Sequence, residues 1–216
     1  MPPPAAFYFD LASPLAYFAA ERILHVLPGP AEWRPVLARE LTGSDQFDAF
    51  RCREEEDVFR VEIGRRAHKL GLQPLRWPDP FPFDSSLAMR VATYAASIGR
   101  AVPFAQAAFR QAFAGGHSLA DPDFVLIAAA ACEMHPTAVL RGAEMRSTVE
   151  RLQTTTAAAA CAGVSDAPAI VVGTDVFAGD DALERAAERM RIEAVDHSTR
   201  GATFELLVKQ TGSRST

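Results

Sequence analysis

Three short stretches of the chain hold residues whose type and placement can do chemistry. In the first, Asp10-Leu11-Ala12-Ser13-Pro14-Leu15-Ala16-Tyr17, an aromatic run gives way at once to a serine followed by proline. Proline is favoured at the first helical position and serine just before it, so Ser13 stands where a strand runs into a helix N-terminus. Unpaired backbone N–H groups and the helix dipole favour negative charge there. A hydroxyl at that point can donate to a thiolate and draw a thiol's pKa down from about 8.5. Equally, Ser13 can be a helix cap and nothing more. The second stretch is Ala167-Pro168, ahead of an apolar run. A cis bond would turn the N–H and C=O of Ala167 outward to pair with an extended peptide; a trans proline would only open an edge strand. The third, Gly179-Asp180-Asp181, opens a helix. Asp180 can cap it, or one of the two carboxylates can hold a ligand's ammonium group.

The elements that must position these residues follow from periodicity. Residues 7–11 have the length and composition of a buried strand. Residues 15–27 carry apolar side chains at helical spacing and stop at Pro28-Gly29-Pro30. A second strand over 32–37 completes a strand-helix-strand unit, which favours a parallel pair. The middle reads as helices over 47–70, 85–98, 102–114, 121–132 and 136–141, with a proline-rich connection over 72–84. A further helix over 146–162 leads to strands over 169–173 and 176–178, which form a hairpin about Thr174-Asp175. A last helix runs from 182 to about 190, and the signal fades past Val195 into a frayed tail. The order predicts an α/β, thioredoxin-like sheet with an all-helical insertion. Residues 1–43 form its first part, 44–144 the insertion and 145–216 the second part with the tail.

Bulk properties exclude several classes. A net charge of −5 gives no basic footprint for nucleic acid. No apolar run approaches the ~18 residues of a membrane helix, and the first residues lack the pattern of a signal peptide, so a cytoplasmic location is expected. Cys52, Cys132 and Cys161 are far apart and odd in number, which argues against a disulfide framework and predicts buried or half-buried thiols. His25, His68, His117, His135 and His197 show no metal-ligand spacing, and no metal is expected.

Phe7-Tyr8-Phe9-Asp10-Leu11-Ala12-Ser13-Pro14 resembles the opening of the 2-hydroxychromene-2-carboxylate isomerases and kappa-class glutathione transferases, members of the DsbA-like thioredoxin superfamily. Further matches are Trp33-Arg34-Pro35-Val36-Leu37, Thr42-Gly43, Phe81-Pro82, Ala88-Met89-Arg90, Gly163-Val164 with Ala167-Pro168, and Phe177-x-Gly179-x-Asp181, over about residues 6–190. Ser13 stands where disulfide-exchanging relatives carry the first cysteine of Cys-x-x-Cys. Here the box reads Ser13-Pro14-Leu15-Ala16, with no thiol to attack or resolve. The resemblance implies glutathione as cofactor, with Ser13 stabilising its thiolate and Ala167 pairing with its cysteinyl backbone beside a cis Pro168. It implies that Asp180 and Asp181 hold the γ-glutamyl end, that Ala178 and Gly179 belong to the same glutathione site, and that Ser44 meets the glycyl end. Arg39 and Phe83 would bind a small aromatic or conjugated carboxylate substrate.

The implied reaction interconverts 2-hydroxychromene-2-carboxylate and trans-o-hydroxybenzylidenepyruvate by thiolate addition, bond rotation and elimination. A kappa-like transferase and a non-catalytic binding protein on the same scaffold are the alternatives. The resemblance also implies a homodimer. The chain departs from the family at Ala178, where tryptophan is frequent, and at Ala182, where arginine is frequent. It has Ser165-Asp166-Ala167-Pro168 where Phe-Gly-Val-Pro is usual, and a shorter loop between Pro35 and Thr42.

Overall fold

The computed structural model describes residues 5–42, 50–179 and 181–195. Four strands, β1 (Ala5–Phe9), β2 (Ala31–Pro35), β3 (Ala169–Val172) and β4 (Asp175–Ala178), form one sheet in the order β2-β1-β3-β4. β1 and β2 are parallel, as a strand-helix-strand opening requires, while β3 runs antiparallel to both β1 and β4. Phe7 is opposite Trp33 on one side and Ile170 on the other, so the central strand is packed along both edges. β1 is buried at every residue, which explains its continuous apolar sequence. Phe7 and Phe9 stack at 5.6 Å, and the Trp33 ring meets Phe7 edge-on at 5.0 Å. Each such ring contributes about 1.5–3 kcal/mol through burial.

Among the described residues the α-helices are α1 (Pro14–Val26), α2 (Arg53–Lys69), α3 (Ser86–Ser97), α4 (Ala101–Phe113), α5 (Pro122–Ala130), α6 (Pro136–Glu144) and α7 (Arg146–Cys161). An eighth, α8, occupies 182–195 and so extends beyond the predicted end near 190. α2 to α6 lie in sequence between β2 and α7, and α4 joins this block to the sheet, its Phe109 ring contacting Phe9 and Tyr17. A second aromatic cluster, Phe50, Phe59, Trp77 and Phe81, packs the proline-rich connection onto α2 and reaches α4 through Phe113. At the crossing of α3 and α6, Gly142 lets the Tyr94 ring lie against the α6 backbone.

Two expectations change. The helix predicted from Phe47 begins at Arg53: Phe50 is drawn into the aromatic cluster, and Cys52 takes the cap position ahead of Glu54, Glu55 and Glu56, whose charges suit a helix start. Cys52 and Cys161 are exposed, and Cys132 alone is buried, because the first precedes its helix and the second ends its own. Among the described residues no helix is long and apolar enough to cross a membrane, and no group of His, Cys, Asp and Glu side chains is placed to hold a metal ion.

Candidate functional site

Ser13 sits in extended conformation at the N-cap of α1, and Pro14, which lacks an N–H, occupies the first helical position. The Ser13 Oγ accepts a hydrogen bond from the Ala16 N–H at 3.2 Å and donates one to the Ala167 carbonyl at 3.1 Å. The cap is therefore real, and the same hydroxyl also ties the helix start to the loop 154 residues further along the chain. Ser13 is fully buried.

Behind it lies a second buried polar group, Asp10. One carboxylate oxygen accepts from the Ala12 N–H at 2.9 Å, the other from the Ala38 N–H at 3.0 Å, and Ser85 adds a side-chain hydrogen bond. Burial pushes the Asp10 carboxyl above its ordinary pKa, while these donors and Arg39 pull it back. Asp10 thus joins the β1–α1 connection, the turn after β2 and the start of α3. It fixes the loop from which Ser13 projects.

The Ala167–Pro168 bond is cis. The backbone of Ala167 does not stand open, as strand pairing with a ligand requires. Its carbonyl accepts from Ser13, and its N–H donates to Asp166 Oδ1 at 2.7 Å. The Asp166 carboxylate captures the N–H of the next residue, an interaction unavailable where glycine stands at that position.

A cleft of about 370 Å³ opens next to Pro168, within the usual range for small-ligand sites. Its apolar surface comes from Leu15, Phe18, Leu70, Ile170 and Leu183. Its charged residues are Arg22 of α1, Arg66 and Lys69 of α2, Asp166, and Asp181 and Glu184 at the start of α8. Arg22 forms an ion pair with Glu184, joining α1 to α8. Asp181 pairs with Arg185 at 3.1 Å, and Arg185 also donates to the Ala178 carbonyl at 2.7 Å. Gly179 turns the chain into α8 with a φ of 90°, a conformation costly for any residue with a Cβ.

Of the predicted site residues, Pro168, Ala178, Gly179 and Asp181 line this cleft. Ser13 and Ala167 do not line it and are joined to each other by a hydrogen bond. Arg39 and Phe83 are not brought to it. Arg39 faces Asp84 at 3.7 Å, and Phe83 is 3% exposed, packed edge-on against Phe81. Asp84 is itself held below the ordinary carboxylate range, chiefly by the Ser86 hydroxyl and then by the Ser86 N–H, with Arg39 adding to this. The carboxylate anchor proposed for a substrate is thus already engaged by a side chain of the protein. Ser44 and Asp180 lie outside the described residues. The sequence reading overlooked Arg22, Arg66, Lys69 and Asp166. Arg66 and Lys69 carried one signal, basic charge in the last turn of a helix, which ordinarily means no more than dipole compensation.

With a mixed four-stranded sheet, a capped serine at the first helix and a cis proline opposite it, the chain belongs to the DSBA-like thioredoxin domain family, whose model matches residues 6–191. Three solved structures are similar to it in fold. One is a 2-hydroxychromene-2-carboxylate isomerase: TM-score 0.71, 17% identity, 99% of this chain and 100% of that one covered. The cytosolic disulfide reductase DsbM from Pseudomonas aeruginosa, solved with GSH, gives a TM-score of 0.63 at 11% identity, covering 90% and 99%. The oxidoreductase DsbA from Xylella fastidiosa gives 0.55 at 14%, covering 89% and 86%. No curated protein matches the chain.

Proposed function

We propose that the protein is a glutathione-dependent isomerase of the 2-hydroxychromene-2-carboxylate type, acting on a small aromatic or conjugated carboxylate. The observation that carries this reading is the Ser13 hydroxyl at the start of α1, bonded to the Ala167 carbonyl beside a cis proline, with no cysteine in the Ser13–Ala16 box. A site of this shape without its own thiol cannot exchange disulfides, yet keeps the means to stabilise a thiolate brought to it. The cleft suits a small zwitterionic thiol: Asp181 offers a carboxylate for an ammonium group, Pro168 and Leu15 an apolar bed, and Arg66 and Lys69 positive charge. Bound glutathione would supply the nucleophilic thiolate. Ser13 would turn its proton from the Ala167 carbonyl to the sulfur, and the N–H groups of the first turn of α1 would add to the positive field there. Asp10 would hold the Ser13 loop in place.

The test is the ultraviolet change on interconversion of 2-hydroxychromene-2-carboxylate and trans-o-hydroxybenzylidenepyruvate, with and without glutathione. Glutathione-dependent turnover with glutathione unconsumed is expected. A glutathione conjugate as product would make the protein a kappa-like transferase. The Ala167 N–H, held by the Asp166 carboxylate, favours the non-catalytic alternative, a binding protein on this scaffold. Absence of turnover across a panel of such acids, with calorimetry showing no glutathione binding, would establish that alternative. A cytoplasmic homodimer belongs to the same proposal.

A further inference from the structure

The loop that presents Ser13 is held from α3 by more than the bond between Ser85 and the Asp10 carboxylate. Leu11 is fully buried, and a buried backbone N–H needs an acceptor. Its neighbours find theirs locally. The Ala12 N–H donates to Asp10 Oδ1 at 2.9 Å, and the Ser13 N–H donates to the Asp10 carbonyl at 3.1 Å. The Leu11 N–H donates to the thioether sulfur of Met89 at 3.2 Å and, among the described residues, to nothing else. Met89 is fully buried too, one turn of α3 beyond Ser85. Packing alone does not select methionine there, since leucine fills nearly the same space and exchanges with it in cores at little cost. What leucine lacks is a lone pair, which the polarizable thioether offers as a weak acceptor.

We infer that Met89 is a positioning residue for Ser13: its sulfur holds the Leu11 N–H and so fixes where the serine hydroxyl stands relative to the thiol it polarises. The catalytic consequence rests on the proposed function, whereas the hold on the loop rests on the Leu11–Met89 contact alone. Because α3 also packs against α4, α6 and α7, this sulfur couples the helical insertion to the serine. Met89 does not line the cleft, so its effect reaches a bound ligand only through the loop.

Met89→Leu keeps the volume and removes the acceptor. Amide hydrogen exchange by NMR reads the contact directly. In the wild type the Leu11 N–H should be protected like those of Ala12 and Ser13, and Met89→Leu should lose that protection. In the isomerase assay Met89→Leu should lower kcat about tenfold, part of the roughly hundredfold that an ångström of misplacement costs. The thiol of bound glutathione, followed by thiolate absorbance, should titrate about one pH unit higher, the same tenfold expressed in proton affinity. Below that titration the Kd of glutathione should change by less than about twofold, since no binding contact is removed. Selenomethionine keeps an acceptor of the same kind, so the fully labelled protein should match the wild type. Met134→Leu makes the same exchange at a buried methionine whose sulfur accepts no hydrogen bond among the described residues, and it should leave the thiol titration unchanged. A wild-type Leu11 N–H that exchanges as freely as an exposed amide would overturn the assignment. So would wild-type kcat and thiol titration in Met89→Leu, or equal shifts in Met134→Leu. Failure of the wild-type protein to bind glutathione would overturn the cofactor reading and the positioning role with it, while protection of Leu11 in the same sample would leave the Met89 contact standing.

Discussion

Replacing Asp166 with alanine should tighten glutathione binding, the reverse of what removing a charged cleft residue ordinarily does. In the structure the Asp166 carboxylate takes the Ala167 N–H at 2.7 Å. A ligand that pairs with that N–H must first displace it, so only the displaced fraction of molecules is competent to bind. A hydrogen bond to a charged group is worth about 1.5–3 kcal/mol. Asp166 is half-buried, so water recovers part of the cost when it swings out, and the low end applies. About 1.4 kcal/mol corresponds to tenfold in affinity. Asp166→Ala should therefore lower the Kd of glutathione about tenfold, and Asp166→Asn, which keeps an oxygen but not the charge, should do so by about threefold. The unliganded alanine variant should melt earlier, since it loses the hydrogen bond from Ala167 to a charged acceptor, worth about 1.5–3 kcal/mol. Calorimetry gives the affinities and thermal unfolding the stabilities. Equal or weaker binding by Asp166→Ala would refute the reasoning, and Asp166 would then belong to the ligand's own contacts.

Other substitutions probe the frame around this loop. Ser13→Ala removes both the cap on Ala16 and the donor to Ala167, so it should cost about 1–2 kcal/mol in denaturant unfolding. In the isomerase assay it should reduce turnover about a hundredfold, as for loss of one stabilising donor. Asp10→Asn offers one acceptor oxygen where two backbone N–H groups need two, and should destabilise by about 1–3 kcal/mol. Its pH dependence has a definite sign. The folded protein holds the Asp10 proton to higher pH than the unfolded chain does, so stability falls as pH rises from the ordinary aspartate value through the raised one. Denaturant curves across this range should show that decline in the wild type relative to Asp10→Asn, and parallel curves would contradict it. Gly142→Ala would set its Cβ 2.4 Å from the Tyr94 ring, so a loss of about 1–3 kcal/mol is expected in thermal unfolding.

Much of this arrangement was legible in the sequence because it is local. Ser13-Pro14 announces its cap through two adjacent residues, and the structure keeps that cap. The strand-helix-strand opening and the terminal hairpin follow from runs of apolar residues and the turns between them. What escaped depends on tertiary placement. Nothing in the periodicity of α2 says that Arg66 and Lys69, rather than His68, turn toward the proline loop. Arg39 has the right chemistry for a substrate carboxylate, but its engagement with Asp84 arises only when the turn after β2 meets the start of α3. Asp166 was visible as a departure from the family pattern. Its effect could not be foreseen, because it depends on how one loop presents the N–H of the next residue.

The position of the cysteines sets how the molecule can be observed and how it tolerates oxidants. None of the three lines the cleft, and two of them, Cys52 and Cys161, are exposed. Peroxide or an alkylating agent that consumes these thiols leaves the serine hydroxyl chemically untouched, so the site has no oxidised, inactive form of its own. The two exposed thiols are also natural attachment points for spectroscopic probes. Cys52 caps the helix whose far end carries Lys69, and Cys161 closes the helix that leads into the Asp166 loop. A pair of dyes there would report motion between α2 and that loop without a single substitution in the cleft.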